Sequence, residues 1–284
     1  MIFILGAALM AAASDFNGAR ALESTRQAVA LGPRPAGSAA IVKLQAMIRT
    51  ELRGAGWSVT DDAFAAATPV GRVPMRNIIG KLSGSSGRAI VYSGHYDTKA
   101  IPGMNFVGAN DGGSSTGWLL EMARVLPNLK RKDDVYVVFF DGEEAFGQWS
   151  ETNGTYGSRH LAERWRREGT LARIRALFNV DMIGDKQFTV VDELNSSIAL
   201  RKMVRGVARE LGHGSSFPDV ASALEDDHLP FVRLGVNAVD LIDFDYGPSH
   251  SWWHTEADTM DKLSSRSLQI IGDVLLEVYR RLQQ

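Results

Sequence analysis

The sequence predicts an α/β domain built around a mostly parallel sheet, and three observations carry that prediction. Short, continuous, β-branched runs alternate with longer stretches of helical periodicity, the pattern of strands covered on both faces by crossover helices. The 284 residues are 45% hydrophobic and 23% charged, which suits a chain that buries one full core and excludes a disordered or fibrous one. No stretch of domain-separating length interrupts the alternation, so residues 14–284 read as a single domain.

The amino end, MIFILGAALMAAA over residues 1–13, is too short to span a bilayer, which needs about 20 residues. It fits the apolar region of a secretory signal ending in small residues, although no Lys or Arg precedes Arg20. It therefore predicts a periplasmic or secreted protein with no membrane attachment in its mature form. Helices are expected over 17–30, 38–54, 114–126, 155–168, 196–211 and 264–282. In the last of these, Leu268, Ile271, Leu275 and Val278 make one apolar face, and Ser264 and Ser265 are candidate caps. Strands are expected at Asn77–Leu82, Ala89–Ser93, Val135–Phe140, Ala176–Val180, Phe188–Val191 and Ala238–Ile242. The arginines from Arg159 to Arg175 read as a solvated helix face. A formal net charge of -2 leaves no basic field for nucleic acid, and the absence of cysteine excludes disulfides and thiolate catalysis. The chain is expected to be a monomer.

Groups capable of chemistry gather where these strands end. His95 and Asp97 follow the second strand, and a period of two lets them point the same way. Asp111 sits among glycines directly before a helix, Glu143 and Glu144 follow the third strand, and Asp181 ends the fourth. His254 lies in a loop beside Trp252 and Trp253, ahead of the last helix. Ligands collect at the carboxyl edge of such a sheet. So many carboxylates brought together cost several kcal/mol unless a cation neutralises them. Mixed imidazole and carboxylate donors without thiolate suit a catalytic Zn²⁺. Of the Glu143–Glu144 pair, one can bind metal while the other shuttles a proton.

These residues, in order, resemble the metal-site pattern of the M28 zinc exopeptidases, over about Asn77 to His254. Three stretches bring the chain closer to one branch, the animal-type glutaminyl-peptide cyclotransferases. They are Asp141-Gly142-Glu143-Glu144-Ala145-Phe146 with Trp149 and Tyr156-Gly157-Ser158-Arg159-His160-Leu161 after it, Asp226-Asp227-His228-Leu229-Pro230-Phe231, and Trp253-His254-Thr255. The resemblance implies a three-layer α/β/α sandwich around a mixed sheet, and one zinc held by Asp111, Glu144 and His254. It implies Glu143 as proton shuttle, Asp181 and Asp226 as an acidic network behind it, and Trp149 and Trp253 as walls of the substrate pocket. His95 and Asp97 fall at second-metal and supporting positions of two-zinc relatives, so a second zinc at His95 and Asp181 stays open. The implied reaction converts N-terminal Gln of a peptide or protein to pyroglutamate with release of ammonia; the alternative is an aminopeptidase. Asp240 departs from the pattern, standing where animal cyclases carry His. His250 reads as a bystander, His228 as orienting its acidic neighbours, and His160, His213, Trp165 and Trp252 as structural.

Overall fold

The computed structural model describes residues 15–284; the expected signal segment, 1–13, lies outside them. Among the described residues the strands are β1 (Ser58–Thr68), β2 (Gly71–Leu82), β3 (Ala89–His95), β4 (Asp134–Phe140), β5 (Ile174–Asp181), the two-residue β6 (Asp192–Glu193) and β7 (Ala221–Ser222), and β8 (Ala238–Ile242). The main sheet has the order β1-β2-β4-β3-β5-β8. β4, β3, β5 and β8 run parallel, while β1 and β2 join antiparallel at one edge. β6 and β7 form a separate parallel pair.

The helices are α1 (Gly18–Val29), α2 (Ala39–Gly54), α3 (Gly113–Val125), α4 (Tyr156–Glu168), α5 (Ile198–Glu210), α6 (Leu229–Arg233) and α7 (Ser265–Leu282). The two-residue period of the strands divides the core between two faces. Ile90 and Tyr92 of β3 pack with α1, α2, α3, α5 and α7, whereas Ala89 and Val91 pack with α4 and α6. This is the three-layer α/β/α sandwich, with α3 buried at every position but Arg124. Gly117 lets α3 lie directly on α1, because a Cβ there would collide with Thr25 and the Ala21 carbonyl. Asn17, Ser38 and Ser264 cap α1, α2 and α7 by accepting from backbone amides. Among the described residues, no helix is long and apolar enough to cross a membrane.

Each expected long helix appears within two residues of its expected bounds. One strand does not form. Residues 188–191 pair with no strand; Val190 and Val191 each donate a single backbone bond, to Ser216 and Ile242, while Phe188 and Val190 fill the core. Their apolarity serves burial and not a ladder. The hairpin made by β1 and the first half of β2 was not expected from sequence, nor was the short α6.

Candidate active site

The parallel strands β3, β4, β5 and β8 all end at one edge of the sheet, and their following residues build the site. His95 closes β3, and the chain turns through Asp97 toward the start of α3. Gly112, at φ +74, lets α3 begin against this turn, since any side chain there would meet the Asp97 carbonyl and the His95 ring. Asp97 belongs to neither metal-type donor group, although its Oδ1 lies 3.6 Å from His95 Nδ1. Its two oxygens accept the backbone amides of Glu143 (3.1 Å) and Glu144 (3.3 Å), which fixes the turn carrying both glutamates. Asp258 does the same for Asp111, accepting the amides of Asn110 (2.8 Å) and Asp111 (3.1 Å) and the Tyr246 hydroxyl (2.7 Å).

Asp111 is the centre of the arrangement. His254 Nε2 lies 3.2 Å from its Oδ2 and 3.0 Å from Glu144 Oε1. His95 Nε2 lies 3.2 Å from its Oδ1 and 3.1 Å from Asp181 Oδ1. Two groups of donors result, Asp111–Glu144–His254 and His95–Asp111–Asp181, each with its ligand atoms within 4.8 Å of one another. Asp111 Oδ2 is buried and receives no hydrogen bond despite the nearby imidazole. His254 itself sits at φ +54, a left-handed conformation that costs a non-glycine residue roughly 1–3 kcal/mol and is held by the surrounding loop.

The electrostatics match this reading. Burial opposes the charge on Asp111, but the two imidazoles beside it, His254 and His95, outweigh it and hold its carboxyl far below the usual range. Burial pulls His254 down, yet Asp111 and Glu144 reverse this and lift it to about 9. Burial, then repulsion from Asp111, raises Glu144. Asp181 is pushed up to about 7 by burial despite the His95 contact. Glu143 is raised well above an ordinary carboxyl by burial first, with Glu144, Asp226 and Asp227 adding repulsion against the pull of His95.

These groups open into a cavity of about 460 Å³, which Lys99, Trp149, Glu225, Asp226, Phe244 and Trp253 also line. Trp253 stacks on the His254 ring at 3.9 Å and meets Phe244 edge-on at 5.3 Å. Trp149 is 37% exposed, and its indole donates to Glu225 Oε2 at 2.7 Å. Asp181 and Asp226 are held by separate partners: His95 for the first, and the Asn179 amide (3.2 Å) for the second. The same amide donates to Asp240 Oδ1 at 3.1 Å. Asp240 is fully enclosed, and burial raises its carboxyl well above the usual range. His228 pairs with Glu193 (3.0 Å), while its other nitrogen is 3.9 Å from Asp240, beyond hydrogen-bond reach. His250 lies outside both donor groups and packs on Phe244 and Trp253. His160 stacks on Phe64, and His213 faces Asp273.

Sequence reasoning missed Lys99, Asp258, Glu225 and Phe244. Only Lys99 had a local signal, two residues beyond the His95-Tyr96-Asp97 run, and its Nζ lies 3.4 Å from Glu144 Oε2.

The model of peptidase family M28 matches residues 77–279. A glutaminyl-peptide cyclotransferase of Drosophila melanogaster is 32% identical over 268 residues, covering 84% of this chain and 75% of that protein. One from Bos taurus is 31% identical over 264 residues, covering 81% and 72%. Among solved structures, an Acidobacteriales bacterium glutaminyl cyclase superposes with a TM-score of 0.92 at 40% identity, covering 99% of each chain. A leucine aminopeptidase precursor from Bacteroides thetaiotaomicron superposes at 0.84 with 26% identity, covering 93% and 96%.

Proposed function

The chain belongs to peptidase family M28, and from that premise we propose that it is a glutaminyl cyclase acting on N-terminal Gln of peptides or proteins. One observation carries the reading: Glu143 and the Asp111–Glu144–His254 group open into a single cavity walled by Trp149, Phe244 and Trp253. Its volume, about 460 Å³, falls within the usual range for small-ligand sites and suits one amino-acid side chain with its amine.

Asp111, Glu144 and His254 would hold one zinc, a donor set of two carboxylates and an imidazole that leaves a position open. When bound, the metal supplies Lewis acidity toward the side-chain carbonyl oxygen of the substrate Gln. Trp253 and Phe244 seat the methylenes of that side chain and keep water away. Its α-amine is tethered to the carbon it attacks, and holding the two in near-attack geometry is worth roughly 7–11 kcal/mol. The bond from the α-nitrogen to the side-chain carbonyl carbon forms as the bond from that carbon to the amide nitrogen breaks. Glu143 takes the proton from the α-amine and delivers it to the departing nitrogen, so the products are a pyroglutamyl peptide and ammonia. Asp181 and Asp226 line the same cavity, and repulsion from Asp226 adds to burial in raising the affinity of Glu143 for that proton. The apolar segment 1–13 supports export.

The test is incubation of the zinc-loaded protein with a Gln-initiated peptide, following peptide mass and free ammonia. Loss of one ammonia with every peptide bond intact is expected; release of free amino acids from varied N-termini would establish a peptidase instead.

The His95–Asp111–Asp181 group shares Asp111 with the first and offers a second set of donors. We expect about one zinc per chain after exhaustive dialysis, measured by elemental analysis, and loss of that zinc in His254→Ala. Retention of two equivalents, or of a full equivalent in the variant, would place the metal elsewhere.

A further inference from the structure

The cavity is strongly acidic, but its acids differ in what neutralises them. Asp111 and Glu144 face His254 and the proposed zinc, Glu143 is buried with a raised pKa, and Lys99 leans on Glu144. Glu225 is different. It lines the same cavity beside Trp149, its side chain is 47% exposed, and its Oε2 accepts the Trp149 indole N–H at 2.7 Å. Its other oxygen lies 3.9 Å from Arg233, a loose and exposed approach that leaves much of the charge facing solvent. A narrow crevice sharing Trp149 and Glu225 is lined by Glu151, Asp226 and Arg233 as well, so this rim carries three carboxylates against one guanidinium.

We propose that Glu225 is a specificity-determining residue that selects peptides carrying a basic residue immediately after the N-terminal Gln, while its carboxylate fixes Trp149 at the cavity mouth. This rests on the cyclase reading above. With the Gln side chain and amine held inside, the rest of the peptide must leave through the mouth, where Trp149 and Glu225 stand together. A Lys or Arg there meets a carboxylate only loosely paired with Arg233, and an acidic residue meets repulsion. The two roles are separable. Glu225→Gln retains a carbonyl oxygen that can accept the indole N–H but removes the charge, whereas Glu225→Ala removes both.

The experiment compares kcat/KM for Gln-Lys and Gln-Glu peptide amides at low and high salt. The wild-type ratio is expected to favour Gln-Lys by about fivefold or more at low salt and to shrink at high salt. In Glu225→Gln the ratio collapses toward one. In Glu225→Ala it collapses as well, and KM rises for both peptides because Trp149 is no longer held. Arg233→Ala, which frees the carboxylate further, sharpens the preference. A wild-type ratio near one, or a ratio that survives Glu225→Gln, overturns the assignment while leaving the cyclase reading intact. Failure of every Gln peptide to release ammonia overturns both.

Discussion

Glu143→Gln is expected to lower kcat for cyclisation by roughly 10²–10⁴-fold, the range a positioned proton carrier supplies, with bound zinc and overall stability close to wild type. The substitution keeps the shape of the side chain and removes only its ability to carry a proton. What positions residue 143 is its backbone amide on Asp97, and that bond does not depend on the side chain. Glu144, whose amide uses the other Asp97 oxygen, keeps its place beside Asp111 and His254. The environment explains why this carboxyl and not its neighbour moves the proton. Glu144 lies against His254 and Lys99, which favour its charged form. Glu143 lies among Glu144, Asp226 and Asp227 in a buried position, so its proton is held far more tightly than an ordinary carboxyl holds one. Steady-state kinetics with metal analysis on the same preparation decide the point. A variant within threefold of wild-type kcat, with its zinc in place, removes Glu143 from proton transfer.

Much of the site was legible in sequence because His95, Glu143, Glu144 and Asp181 sit where buried strands stop. VYVVFF ends at Phe140, and the chain can then turn only at the sheet's edge, which puts Glu143 and Glu144 there. The hairpin strand Ser58–Thr68 was not legible for an equally physical reason. Its sequence, SVTDDAFAAAT, carries two aspartates and four alanines, poor strand formers, and only Asp62 and Ala66 are buried along it. It is a strand because β2 supplies a full ladder from Ser58–Lys81 to Thr68–Gly71, a pairing that local preference does not reveal. Asp97 shows the same limit at the site. Its type and spacing suit a ligand, yet its oxygens are committed to backbone amides 46 and 47 residues away.

Arg34 lies furthest from what sequence could indicate, and its replacement by Met is expected to destabilise the protein by about 3–5 kcal/mol and to weaken zinc binding by about 10- to 100-fold. Flanked by Pro33 and Pro35, it looks like a loop residue, but its side chain is wholly enclosed. The guanidinium donates to the carbonyls of Tyr96 (3.1 Å), Val107 (2.5 Å) and Gly108 (2.8 Å). It thereby ties the turn after β3 to the loop that leads into Asp111. Burial lowers its pKa to about 10 against the pull of Asp258, Asp111 and Asp97, so it remains charged at neutral pH. Met fills similar volume but leaves those three carbonyls without this donor and three buried carboxylates without their nearby cation. Each orphaned group costs about 1–3 kcal/mol, and part of that is recovered as the loop loosens, which is the movement that spoils the ligand geometry. Arg34→Lys separates the two contributions: it restores the charge but not the planar fork, so it should recover part of the stability and less of the zinc affinity. Denaturant unfolding of the metal-free proteins and zinc titration measure each. If Arg34→Met unfolds within 1 kcal/mol of wild type and binds zinc as tightly, the guanidinium does not hold the site together.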